Sequence, residues 1–67
     1  MKVTVNGDER ELAPAARVAD VVSDFAGRRR SGIAVALNGE IVPRSEWSEV
    51  TIEDGDRLEV LSAIGGG

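Results

Sequence analysis

The chain begins with an alternation of polar and apolar residues that is typical of a strand. Residues 2–6 read Lys-Val-Thr-Val-Asn, which is the period of a half-buried strand. Asn6-Gly7 is a strong signal for a two-residue hairpin turn, because both residues tolerate positive φ. We expect a return strand from Asp8 to Leu12 and a break at Pro14. These positions predict an N-terminal β-hairpin.

From Arg17 the apolar residues recur with a helical period instead. We expect a helix over about residues 17–26, whose buried face consists of Val18, Val21, Val22 and Phe25. Gly27 is the expected stop. The start is less well marked, because Arg17 stands where Ser, Thr, Asp or Asn would usually cap the helix.

The second half of the chain returns to short apolar segments. Ile33–Leu37 is a strand-like segment that ends in a second hairpin signal, Asn38-Gly39. Glu40–Val42 is the expected partner strand, and a single helical turn follows, which docks Trp47 as a packing residue.

The last strand predicted is Arg57–Ser62. Leu58 and Val60 would face the core, and Leu61 would lie on the opposite face of the sheet. The order of elements predicts an α+β protein, with one main helix packed across a mixed sheet of four to five strands, in which the first and last strands are central parallel neighbours. This is the β-grasp, or ubiquitin-like, roll. We expect residues 1–64 to form this domain and residues 65–67 to form a flexible tail.

Composition restricts the function. With 67 residues, 42% hydrophobic and 30% charged, the chain has room for one small globular domain. It contains no cysteine and no histidine, so it lacks the usual zinc ligands and the groups that activate nucleophiles. We therefore expect no enzyme activity, no bound metal and no bound cofactor.

Charge and hydropathy limit the classes of partner that we expect for the chain. A net charge of −4 argues against nucleic acid as a partner. The longest apolar run, Ile33–Leu37, is too short to cross a membrane. We therefore expect a cytoplasmic protein whose partners are other proteins.

The sequence ends in Gly65-Gly66-Gly67, which follows the last predicted strand closely. A glycine-rich end is often an inert, frayed terminus. The alternative is a reactive one, because a free carboxylate flanked by residues without Cβ can enter a narrow cleft. Extended, residues 62–67 would reach roughly 17 Å, at about 3.3–3.6 Å per residue.

Taken together, these features resemble the ThiS family of prokaryotic sulfur carriers, within the ThiS/MoaD ubiquitin-like superfamily. The resemblance spans the chain and departs from the family pattern at Arg17 and at Gly65, where a non-glycine residue is usual. The residues that carry it are Val3-Val5-Asn6-Gly7, Val18-Ala19-Asp20-Val21-Val22, Ala36-Leu37-Asn38-Gly39, Ile41-Val42-Pro43-Arg44, Trp47, Asp54-Gly55-Asp56-Arg57, Ala63-Ile64 and Gly66-Gly67.

The resemblance implies a chemical role for Gly67. A ThiF-like adenylating enzyme, using ATP and magnesium, would convert its carboxylate to an acyl adenylate. A cysteine-derived persulfide would then replace AMP to leave a thiocarboxylate. A ThiG-like thiazole synthase would receive that sulfur for thiamin biosynthesis. The glycines Gly65 and Gly66 would form the tail that enters these enzymes.

Partner binding is expected beside the tail, at Leu61, Ala63 and Ile64. The acidic residues between positions 40 and 59 could steer a basic partner, although a solvated acidic face explains them equally well. Three alternatives remain open: a sulfur carrier for molybdopterin, cysteine or a secondary metabolite; a ubiquitin-like modifier of other proteins; and an interaction domain whose tail is inert.

Overall fold

The fold is a mixed five-stranded sheet crossed by one helix. A computed structural model describes residues 1–27 and 32–62. The strands lie in the order β2-β1-β5-β3-β4, so that β5 runs parallel to β1 and antiparallel to β3. This arrangement confirms the predicted β-grasp fold. The elements are β1 (Lys2–Val5), β2 (Asp8–Glu11), α1 (Val18–Ala26), β3 (Ile33–Leu37), β4 (Glu40–Ile41), a 3₁₀ turn (Arg44–Glu46) and β5 (Arg57–Ser62).

Both predicted hairpin turns are present. Asn6 and Gly7 have φ values of 52° and 85°, and Asn38 and Gly39 have nearly the same values, 51° and 86°. Positive φ at both central residues gives a two-residue turn whose twist matches that of the flanking strands. The two turns therefore fix the registers of the β1–β2 and β3–β4 pairs.

Helix α1 begins one residue later than predicted, and its start is capped both by Asp20 of the helix itself and by carbonyls from outside the helix. The Arg17 N–H donates to the Asp20 carboxylate over 2.8 Å. The N–H groups of Val18 and Ala19 donate to the carbonyls of Val50 (3.0 Å) and Trp47 (2.9 Å). These bonds satisfy N–H groups that every helix start leaves without intrahelical partners. They explain why the helix needs no Ser, Thr, Asp or Asn at its first position.

The core lies between α1 and the sheet. Val18 and Val22 are completely buried, and they face Leu58 and Val60 of β5, which are equally inaccessible. Trp47 is also buried, and its indole N–H donates to the Val42 carbonyl over 2.9 Å. This bond satisfies the one polar group of the side chain. The predicted packing role of Trp47 is confirmed.

The prediction that Phe25 is buried was wrong. Its side chain is 46% exposed, and it lies beside Arg10 and Leu12 at the β2 edge of the sheet. Phe25 continues the stripe that begins at Val18, but it does so in the last turn of the helix. There it lies at the edge formed by β2, whose residues are all exposed and polar (Asp-Glu-Arg-Glu), so Leu12 and Val5 cover only part of the ring.

No helix in the described part of the chain is long and apolar enough to span a membrane. The arginines at positions 28–30, which follow the helix, lie outside the described residues.

The contrast between Val22 and Phe25 gives a stability test. Val22→Asp should unfold the domain, because a buried unpaired carboxylate costs several kcal/mol, about the whole stability of a small domain. Phe25→Asp places the same carboxylate at an exposed position and should leave a cooperative thermal transition within about 10 °C of the native one, as expected for a loss of about 1 kcal/mol. A native-like transition for Val22→Asp would contradict the helix face described above.

A second test concerns backbone strain at Ala15. This residue has a φ of 67° in a turn that follows Pro14 and closes with a bond from the Ala16 N–H to the Ala13 carbonyl. Positive φ costs a residue with a Cβ roughly 1–2 kcal/mol. The extra freedom of glycine in the unfolded chain costs about 0.4–1 kcal/mol. Ala15→Gly should therefore raise the free energy of unfolding by up to about 1 kcal/mol in urea denaturation.

The matched control is Ala13→Gly, at an exposed alanine in the same turn whose φ is not positive. It should lower the free energy of unfolding, since only the cost in the unfolded state remains. Equal destabilisation by both variants would show that Ala15 carries no strain.

Candidate functional site

Strand β5 presents different side chains to the two faces of the sheet. Leu58 and Val60 lie in the core, whereas Leu61 is 65% exposed on the face that α1 does not cover. The predicted orientation of all three residues is confirmed. Because β5 is the central strand, its last residue, Ser62, lies near the middle of the sheet.

An apolar strip crosses the open face beside the end of β5. Leu61 lies opposite Ala34 of β3, and Ala36 of β3 lies opposite Ile41 of β4. Leu61 and Ile41 are large and exposed, while the two alanines between them leave a shallow groove. We call Ala34, Ala36, Ile41 and Leu61 the open-face strip. Exposed apolar residues grouped in this way are typical of a protein-binding surface.

Of the two large residues of this strip, Ile41 is the one that sequence reasoning missed, together with the two alanines. It is 72% exposed, more than Leu61. The signal was present, since a two-residue turn at Asn38-Gly39 places Ala36 opposite Ile41. Alternation along β3 then puts both residues on the face opposite the buried Val35.

Charged side chains flank the strip on β5. Arg57 and Glu59 are exposed and line the same groove as Leu61. They carry opposite charges, so this part of the face has no strong charge of one sign. A partner that covers the strip would have to satisfy one cation and one anion next to it.

Some of the acidic residues between positions 40 and 59 have structural partners. Asp54 accepts a hydrogen bond from the Lys2 N–H (2.7 Å), and Asp56 accepts one from the Glu53 N–H (2.8 Å). The steering role suggested for this acidic stretch stays a prediction. Within residues 1–27 and 32–62, no cluster of three or more acidic side chains is arranged to hold a metal ion.

The structure places one of the predicted site residues, Leu61. The others fall within residues 63–67, which lie outside the described part of the chain. These are Ala63, Ile64, Gly65, Gly66 and Gly67. The part of the site that can be described is therefore the open face around the end of β5, and the chemical role of Gly67 stays a prediction.

The fold and this surface define the class of protein: a β-grasp domain whose central strand leads into a short glycine-rich C-terminal segment beside an exposed apolar strip. The model of the ThiS family matches residues 3–67. The crystal structure of the thiamine biosynthesis protein ThiS from Geobacter metallireducens superimposes with a TM-score of 0.81 at 33% identity, and all of both chains is covered. Its NMR solution structure gives the same TM-score over 88% of that chain.

Two curated relatives agree with this result. The sulfur carrier protein ThiS of Escherichia coli is 30% identical, and the match covers all of both chains. A thiazole synthase from Paramagnetospirillum magneticum is 39% identical over 67 residues, but the chain spans only 20% of that protein's length. The chain belongs to the ThiS family.

Proposed function

We propose that this chain is the sulfur carrier for thiazole formation in thiamin biosynthesis, and that Gly67 carries the sulfur as a thiocarboxylate. The observation that carries the proposal is the family match, which extends through the Gly-Gly pair to residue 67. The full-length similarity to a protein named sulfur carrier protein ThiS supports it. The sequence contains no cysteine, so the sulfur cannot be held on a side-chain thiol of this chain.

The first proposed step activates the carboxylate, which is otherwise a poor electrophile because of resonance. A carboxylate oxygen of Gly67 attacks the α-phosphorus of ATP in a ThiF-like adenylating enzyme. The bond between the α- and β-phosphates breaks, pyrophosphate leaves, and a glycyl adenylate forms. ATP and magnesium are bound by that enzyme, and this chain is its substrate.

The second step replaces oxygen by sulfur. The terminal sulfur of a cysteine-derived persulfide attacks the acyl carbon, AMP leaves, and an acyl disulfide forms. A second thiol then attacks the sulfur that belongs to the donor's cysteine, and the acyl-bound sulfur leaves with Gly67. The products are a disulfide between the two thiols and the free Gly67 thiocarboxylate, so the thiol supplies the two electrons required.

A ThiG-like thiazole synthase is the proposed acceptor of the sulfur. The similarity to a segment of a protein named thiazole synthase supports this choice over other sulfur-requiring pathways. Since the steps need ATP and reduced thiols, we place them in the cytoplasm.

The described structure supports a division of labour within the chain. The folded domain offers the open-face strip for docking, and Leu61 lies in that strip one residue before the end of β5. We propose that Ala63 and Ile64 extend the docking surface and that Gly65 and Gly66 form the tail that precedes the reacting carboxylate. Without Cβ atoms, glycines let an enzyme approach the acyl carbon closely.

Docking through the strip is tested by Leu61→Asp. A carboxylate within an apolar interface should weaken binding to the adenylating enzyme by about tenfold or more, since that factor corresponds to about 1.4 kcal/mol. Isothermal titration calorimetry measures the affinity. Phe25→Asp is the matched control, because it makes the same change at an exposed aromatic residue on the helix. Native affinity for Leu61→Asp, or equal loss in both variants, would count against docking through this strip.

The role of Gly67 is tested by changing the length of the tail. Deleting Gly66 and Gly67 should abolish the glycyl adenylate and the thiocarboxylate, and the thermal transition should not change because the deleted residues follow the last strand. Adding one alanine after Gly67 should also abolish both products, since it displaces the carboxylate by about 3.3–3.6 Å and adds a Cβ. Both products are detected by intact mass spectrometry.

Normal conversion of the alanine-extended chain would show that the adenylating enzyme does not recognise this terminus specifically. Isopeptide adducts between Gly67 and lysines of other proteins in cell extract would instead indicate a protein modifier.

A further inference from the structure

Strand β1 leaves the sheet before its neighbour β5 ends. The two strands pair in parallel at Thr4↔Arg57 and Val5↔Leu58. The Asn6 N–H donates to the Leu58 carbonyl over 2.9 Å, and the chain then turns away at Asn6-Gly7. In a regular parallel ladder, the Val60 N–H would donate to the backbone carbonyl of Asn6, and the Val60 carbonyl would accept from a residue further along β1. The turn removes these backbone groups from the edge of β5.

The side chain of Asn6 takes their place. Its Oδ1 accepts a hydrogen bond from the Val60 N–H over 2.8 Å, and its Nδ2 donates to the Val60 carbonyl over 3.1 Å. A carboxamide offers the same donor and acceptor as a peptide group, so it extends the β1–β5 ladder by one position. Both backbone groups of Val60 are thereby bonded on the side that β1 has left.

The second asparagine turn makes a related contact at the other end of β5. The Asn38 Oδ1 accepts from the Arg57 N–H over 2.9 Å, and its Nδ2 donates to the Asp56 carboxylate over 3.0 Å. Arg57 is the first residue of β5, whereas Val60 is two residues from its end. The two side chains thus bond β5 at opposite ends, and the Asn6 contact lies near the C-terminal end of the strand.

Beyond Val60, β5 pairs with β3, through Ala34↔Leu61 and Ile33↔Ser62. Without the Asn6 carboxamide, the segment from Val60 to Ser62 would be held along one edge only. Strand ends held on one edge open more readily than those held on both.

We infer that Asn6 is a positioning residue for the reacting terminus. Its carboxamide orders the end of β5 up to Ser62, so that an activating enzyme has less of the chain to order on binding. This inference rests on the proposed function for its effect on the reaction. Its effect on the order of β5 is a property of the free protein.

The test compares Asn6→Gly with Asn38→Gly. Glycine adopts the positive φ of both positions, so each turn is kept while one pair of side-chain hydrogen bonds is lost. Both variants gain the same freedom in the unfolded state. The Asn38 variant is therefore a matched control. It loses stability at the start of β5 and leaves the C-terminal end of the strand unchanged.

The first measurement is made by NMR on the free proteins. In Asn6→Gly, the Val60 amide should exchange with solvent at least about tenfold faster than in the native chain, and the backbone order parameters of Leu61 and Ser62 should fall. In Asn38→Gly, faster exchange should appear at Arg57 instead. Native order at Leu61 and Ser62 in Asn6→Gly would overturn the inference.

The second measurement is the steady-state rate of adenylation. Asn6→Gly should raise KM by about three- to tenfold with kcat within about twofold of native, because only the ordering required on binding changes. Asn38→Gly should change neither parameter. Asn6→Asp keeps the acceptor for the Val60 N–H and loses the donor, so its KM should lie between those of the native chain and Asn6→Gly.

The two proposals fail in different ways. If the native chain is never adenylated, the proposed function fails, and the order parameters alone decide the role of Asn6. If the native chain is adenylated and the two glycine variants have equal KM values, the inference about Asn6 fails while the proposed function stands. If Asn6→Gly does not fold, Asn6→Asp decides the outcome by the same two measurements.

Discussion

The pairing of β5 on both of its edges is the constraint on which the rest of this small structure depends. Parallel pairing with β1 and antiparallel pairing with β3 fix which side chains of β5 point into the core. Leu58 and Val60 become the floor on which α1 packs, and Leu61 is placed on the open face. A shift of one residue in either register would exchange these faces. The core and the open-face strip therefore depend on the same backbone hydrogen bonds.

A chain of 67 residues has little interior. One segment therefore both fills part of the core and bonds the backbone of another element. The segment around Trp47 fills one end of the core and accepts hydrogen bonds from the start of α1. The side chain of Arg17 adds a bond from its Nη1 to the Ser48 carbonyl over 3.0 Å. In this way the helix start is held by distant residues. The result is an ordered domain built on few buried residues.

Local sequence signals predicted most of the fold. The two Asn-Gly pairs fixed both hairpins, because few other dipeptides tolerate positive φ at two successive positions. The period of Val18, Val21 and Val22 located the helix face. The external capping of α1 was not predictable, since the partners of Val18 and Ala19 are carbonyls far away in the sequence. The prediction that Phe25 is buried failed for a related reason. Periodicity identifies a face of a helix, but it does not show whether an apolar strand lies opposite each turn.

The candidate site was predicted in part. Alternation along β5 placed Leu61 on the open face, whereas Ile41 required the register between β3 and β4 as well. The side-chain bonds from Asn6 to Val60 span 54 positions and could not be seen in a local pattern. The role of the terminal glycines came from a family resemblance, and it stays a prediction because those residues lie outside the described part of the chain.

The most direct test of the central claim is to locate the sulfur. The native chain would be incubated with a ThiF-like enzyme, ATP, magnesium and a persulfide donor, and then digested with trypsin. Cleavage after Arg57 releases residues 58–67 as one peptide, because no lysine or arginine follows. The account predicts that this peptide gains the mass difference between sulfur and oxygen and that fragmentation assigns the gain to Gly67. A gain on any other residue, or none while another ThiS protein is converted under the same conditions, would contradict it.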